Sequence, residues 1–201
     1  TSTQGVLQQA SIIVEDGIIT AINPAQITAD KTINAQGKIL TPGFIAAFSQ
    51  LGLVEVGAVK GSVDASDEKA DITFDPGLAF NPQTSAIPYA RKGGITHSII
   101  TPRSGKSIFA GQSSLVNLSG DFDSVVNANN AVLVTLGVKS KGSRALDLQT
   151  LTNKLDDAND KLIEAAKAKK PKKDKKESKP PSREEKVLNA LLKGEKTLIV
   201  S

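Results

Sequence analysis

The stretch AQGKILTPGFIAAFSQLGLVEVG, residues 35–57, marks a change of folding grammar along the chain. Upstream of it, Ser11–Val14 and Ile18–Ile22 are short β-branched runs joined by Glu15-Asp16-Gly17, a glycine-containing connection suited to a hairpin. Lys31–Asn34 and Lys38–Leu40 bracket Ala35-Gln36-Gly37 in the same strand, turn, strand order. Residues 1–40 are therefore expected to form a small antiparallel sheet, part of a β-sandwich. Pro42-Gly43 then turns the chain, and beyond it short apolar segments alternate with helical ones, the signature of parallel β/α units.

Four strands are expected after that boundary: Ile39–Phe48 around the Pro-Gly, Ile95–Thr101, Ala131–Leu136 and Thr197–Val200. Helices are expected over Ser85–Lys92, Ala145–Lys170 and Arg183–Lys193. In the long one, Leu148, Leu151, Leu155, Leu162 and Ile163 recur near helical spacing, with acids early and lysines late, matching the helix dipole. Lys193-Gly194 supplies a C-terminal stop. A parallel strand normally has both faces covered, and TLIVS has no helix after it, so residues 41–201 read as four β/α units of something larger. Four such units are half of an eight-stranded barrel.

Composition narrows the function classes. The 201 residues, 39% of them hydrophobic, suffice for a buried core. With no Cys there is no disulfide, thiolate metal site or cysteine nucleophile, and the redox compartment stays open. No apolar run is long enough to span a membrane, and TSTQGVLQQ resembles no signal peptide, so a soluble protein is expected, cytoplasmic or periplasmic. The net charge of +4 rests on residues 165–186, where nine lysines and one arginine face four acids; without them the chain is near neutrality. That segment reads as a solvated insertion, with polyanion binding as the alternative. One Tyr and no Trp leave no stacking platforms, so no nucleic-acid partner is expected.

The stretch that divides the chain also resembles the start of the barrel in the amidohydrolase superfamily, whose pattern is G-x-x-[hydrophobic]-x-P-G-F-[IV]-D-x-H-x-H-x-G. Gly37, Pro42, Gly43, Phe44, Ile45, Leu51 and Gly52 fall in register, while Ala46 replaces the acid and Phe48 and Gln50 replace the two histidines. SIIVEDGIITAI, residues 11–22, is similar to the hairpin that precedes such barrels. Residues 80–120 resemble the imidazolonepropionase-like branch, through Asn81-Pro82, the A-R-x-x-G-[IV]-T run at Ala90–Thr96, the P-x-S-G turn at Pro102–Gly105 and the Gly111-Gln112 segment. The likeness covers roughly residues 5–140 and resumes at LLKGEKTLIVS.

This resemblance implies an α/β fold, the first half of a (β/α)8 TIM-type barrel preceded by a β-sandwich portion. It implies a hydrolase of C–N bonds in non-peptide, dipeptide-like or cyclic amides, acting on a small-molecule substrate with the remaining half of the barrel as partner. In the family, imidazoles at i and i+2 on the first strand face one way and share a divalent ion, which acidifies bound water. Phe48 cannot ligate, and the neutral Gln50 amide oxygen suits hard ions better than zinc. The resemblance leaves room for one divalent, zinc-like metal held by residues beyond Ser201. The competing reading is a non-catalytic paralogue that binds a ligand or pairs with an active homologous amidohydrolase; a homo-oligomer is also compatible.

Other motifs are weighed within that frame. His97 is the sole histidine and reads as a structural strand residue. Ser104-Gly105-Lys106-Ser107 lacks the Walker glycine, since the required position is Ile100. Its loop belongs instead to the C-terminal end of a barrel strand, where substrate loops sit, making Arg103, Ser104, Lys106 and Gln112 the substrate-side candidates. Glu55, Asp64, Asp67, Asp71 and Asp75 do not match a calcium loop and read as solvated, with Glu55 placed to turn toward the site. A serine triad would have only His97 to draw on.

Overall fold

The computed structural model describes residues 5–137, 143–168 and 180–201. Two compact units result, Thr1–Pro42 and Gly43–Ser201. In the first, β1 (Ile12–Glu15) pairs antiparallel with β2 (Ile18–Ile22). Asp16 and Gly17 both take positive φ, 50° and 78°, as a two-residue hairpin turn matching strand twist requires. The second strand–turn–strand does not form: residues 31–42 contain no strand. What survives there is the turn, with Lys38 N–H on the Ala35 carbonyl at 2.9 Å and Gln36 N–H on Asn34 Oδ1 at 2.9 Å.

The second unit holds a five-stranded sheet in the order β3-β4-β5-β6-β7. Its strands are β3 (Phe44–Ser49), β4 (Ile95–Ile100), β5 (Phe109–Asn117), β6 (Val125–Val134) and β7 (Thr197–Val200). Strand β3 starts later than Ile39 because Pro42 has no N–H to give a ladder; the first ladder bond is Phe44 N–H to the Gly94 carbonyl, 2.8 Å. Strands β3 and β4 run parallel, as do β6 and β7. A succession of purely parallel β/α units is not what forms, because β5 is inserted antiparallel to both β4 and β6. No strand is expected there from sequence, yet its small polar run Gln112-Ser113-Ser114 is buried at all three residues.

Helix α1 (Ala86–Lys92) lies between β3 and β4, and α2 (Arg144–Ala168) and α3 (Arg183–Leu192) between β6 and β7. Leu151 and Ala158 of α2 are buried with Val187 and Leu188 of α3 against Phe109, Val132 and Val134 of the sheet. The buried stripe of α2 runs through Leu151, Leu155 and Ala158, so Leu148 and Ile163, one position off it, are left 50% and 42% exposed. A second cluster joins Leu53, Ala65, Ile87, Ile100, Val116 and Leu118. Of the lysine-rich segment expected at 165–186, residues 169–179 lie outside the described residues.

Two local devices fix these elements. Gly43 sits so close to β4 that a Cβ there would fall within 3.0 Å of three Thr96 side-chain atoms. At the start of α3, Ser182 Oγ accepts from Glu185 N–H at 3.2 Å and Glu185 Oε2 from Ser182 N–H at 2.9 Å, a reciprocal cap. Glu185 also meets Lys161 of α2 at 2.8 Å, and Lys154 meets Glu184 at 2.8 Å. The Lys161 hydrogen bond first, then the Ser182 N–H, lowers the Glu185 pKa, while Glu185 raises that of Lys161.

Gly43→Ala is expected to destabilise by about 1–3 kcal/mol through overpacking, with partial recovery in a Gly43→Ala/Thr96→Ala double variant, read from thermal melts. Because Glu185 is depressed in the fold, its contribution is present above the ordinary carboxylate pKa and is lost as pH falls through the lowered folded value. Melts across the acid range should therefore show a shallower decline for Glu185→Gln than for the wild-type chain.

Candidate active-site cleft

The parallel pair β3 and β4 places its C-terminal ends side by side, and the backbone there is firmly held. The Ser49 carbonyl accepts from Thr101 N–H at 2.8 Å and from Thr101 Oγ1 at 3.3 Å, and Ser49 Oγ accepts from Leu51 N–H at 3.0 Å. Pro102 then ends the ladder, and Arg103 N–H bonds the Ala65 carbonyl at 2.8 Å, tying this loop to the one after β3. Above these ends opens a cleft of about 760 Å³, lined by Phe48–Gln50, Thr101–Ser104, Leu133 of β6 and Ser201.

Within the cleft, Arg103 Nε donates to Gln50 Oε1 at 2.6 Å. Sequence reading singled out both residues, Gln50 as a ligand-equivalent position and Arg103 as a substrate-side candidate, but did not join them. They are 53 positions apart, and only the β3–β4 register brings them together. Ser104 lines the same cleft. Lys106 lies elsewhere, paired with Glu68 at 3.0 Å on the surface. Gln112 is buried in β5, where its Nε2 donates to the Thr73 carbonyl at 3.3 Å. His97 is half-buried in mid-β4 with Nδ1 against the Thr96 hydroxyl at 3.1 Å, and it does not line the cleft.

The acidic residues after β3 serve the loops. Glu55 does not turn toward the cleft: Asn81 Nδ2 donates to its Oε1 at 2.9 Å and Thr84 Oγ1 to its Oε2 at 2.7 Å, bracing the approach to α1. Asp67, Asp71 and Asp75 each accept a backbone N–H two residues on, from Lys69, Thr73 and Gly77, at 2.7–2.9 Å. Asp75 also accepts from Asn129 Nδ2 at 2.8 Å, and the Lys196 ammonium donates to the Asn129 carbonyl. Burial lowers the Lys196 pKa, with Asp75 opposing that shift.

The donor set of this cleft does not fit a divalent cation. Phe48 offers a phenyl ring, and the Gln50 amide oxygen is already taken by a guanidinium, whose charge opposes that of a metal at the same atom. Among the described residues, no group of three or more His, Cys, Asp or Glu side chains could hold an ion. Among them too, no helix is long and apolar enough to cross a membrane.

In overall fold the chain is similar to the crystal structure of an amidohydrolase from Thermotoga maritima MSB8, with a TM-score of 0.66 and 20% identity. The alignment takes in 90% of this chain and 50% of that one, so the chain spans about half the length of its structural relative. No family model matches the sequence, and no curated protein matches it. The likeness assigns the mixed sheet to part of such a fold.

The Glu55 brace carries its own expectation. Glu55→Ala leaves the Thr84 hydroxyl, 3% exposed as a residue, without its acceptor, and should cost about 1–3 kcal/mol in chemical denaturation. Removing a side chain that only braces the loop should leave ligand affinity in the cleft unchanged.

Proposed function

We propose that the chain forms the opening strands of an amidohydrolase-type hydrolase that cleaves C–N bonds in small non-peptide, dipeptide-like or cyclic amides. The observation that carries this reading is the fold likeness at a TM-score of 0.66, with the cleft at the C-terminal ends of parallel strands, where barrels of this class bind substrate. The P-x-S-G and Gly111-Gln112 segments support the imidazolonepropionase-like branch within it. Further strands would complete the barrel: β3 is an edge of the sheet and leaves Phe44, Ile45 and Phe48 between 56% and 59% exposed.

In this reading the chain supplies substrate-side groups, Arg103 and Ser104 foremost, and a single divalent ion is held by residues of the remaining strands. The second reading is a non-catalytic paralogue acting as a ligand-binding or structural partner of an active homologue. The Gln50–Arg103 hydrogen bond favours it, because the pair stands at a position that carries a ligand histidine in the resemblance.

Metal content and turnover of the full-length protein separate these. The hydrolase reading expects about one zinc-like ion per chain and hydrolysis within a panel of linear and cyclic amides. No bound ion together with no hydrolysis across the panel overturns it in favour of the silent partner. Phe48→His/Gln50→His should then raise metal content only where the other ligands are in place.

A further inference from the structure

We infer that the Arg103 guanidinium stands as a fixed cation where an ion on the end of β3 would sit, so that β3 is tied to the loop after β4 without a metal. This tie belongs to the strand end alone and holds whether or not further strands carry an ion. Positions 48 and 50 both line the cleft, at the spacing that turns two side chains of an extended segment the same way. A metal gripped by this strand end would draw its donors from that pair. One of them is the Phe48 ring, and the other, Gln50 Oε1, accepts from Arg103 Nε at 2.6 Å.

The backbone carries the guanidinium to this place. Pro102 ends the β4 ladder, and Arg103 N–H is held on the carbonyl of the fully buried Ala65 at 2.8 Å. Only the side chain then remains to be placed, and Gln50 places it. The resulting bond joins residues 53 positions apart, the end of one parallel strand to the loop after its neighbour.

Arginine stays protonated at any working pH, so a full positive charge lies one hydrogen bond from the atom a metal would use. A second cation there meets like charge at close range, and its donor atom is already accepting a bond. A histidine at position 50 would not escape this, because a neutral imidazole has one accepting nitrogen for which the ion and the Arg103 N–H compete. Histidines at 48 and 50 alone therefore make a weak ligand pair, and clearing Arg103 is what opens the place.

The test titrates zinc chloride into the metal-stripped full-length protein and its variants by calorimetry. Phe48→His/Gln50→His/Arg103→Met should take up zinc beyond the wild-type amount, at least about tenfold tighter than Phe48→His/Gln50→His, as expected for a divalent ion relieved of a neighbouring unit charge. Phe48→His/Gln50→His/Arg103→Lys, which keeps the charge, should bind nearer to the double variant. A smaller difference between the double and methionine triple variants, no added zinc in the latter, or equal affinity of the lysine and methionine triples overturns the inference. A second readout needs no metal and one histidine. By NMR, the imidazole of Gln50→His should titrate at lower pH than that of Gln50→His/Arg103→Met, because a guanidinium beside it disfavours the imidazolium. Equal titration overturns the inference as well, and an ion held by other strands, or hydrolysis there, moves neither comparison.

Discussion

The cleft in the second unit depends on how closely β3 lies against β4. The contact at Gly43 and Thr96 admits no side chain, and the ladder opens with Phe44 N–H on the Gly94 carbonyl at 2.8 Å. From that start the pairing reaches Ser49 opposite Ile100 through two irregularities, between Phe44 and Ile45 and between Ala46 and Ser49. The same pairing puts Gln50 and Arg103 within a hydrogen bond of each other.

Three levels of holding maintain the cleft. Backbone bonds from Thr101 to Ser49 and from Arg103 to Ala65 fix the loop ends. Behind them, Ala65 is fully buried with Leu53, Ile87 and Ile100, so the carbonyl that anchors Arg103 belongs to a packed cluster. Glu55, through Asn81 and Thr84, braces the loop leading to α1. Asp67, Asp71 and Asp75, which sequence alone would leave in solvent, each accept a backbone N–H within their own turn.

Much of the fold was legible because its signals are local. The Glu15-Asp16-Gly17 turn, the apolar runs at Ile95 and Thr197, and the Lys193-Gly194 stop each declare themselves within a few residues, and each lies where expected. Strand β5 was not among the expected strands: its run Gln112-Ser113-Ser114 has no apolar alternation, and it is buried between the strands on either side. The strand expected at Lys38–Leu40 does not form: of its residues only Ile39 favours a strand, and the segment has no partner ladder among the described residues. In the cleft, the residue types were visible and their pairing was not, because no local rule joins Gln50 to a side chain 53 positions away.

The antiparallel placement of β5 has a consequence for how the sheet assembles. Strands β4, β5 and β6 form a continuous meander whose connections are short, while the β3–β4 and β6–β7 pairings enclose the loop before α1 and the two long helices. Loop-closure entropy rises with the length of chain enclosed, so the meander is the part of the sheet with the least to lose on forming. The cleft edge, built from the β3–β4 contact, closes a longer loop and so carries the larger entropic cost.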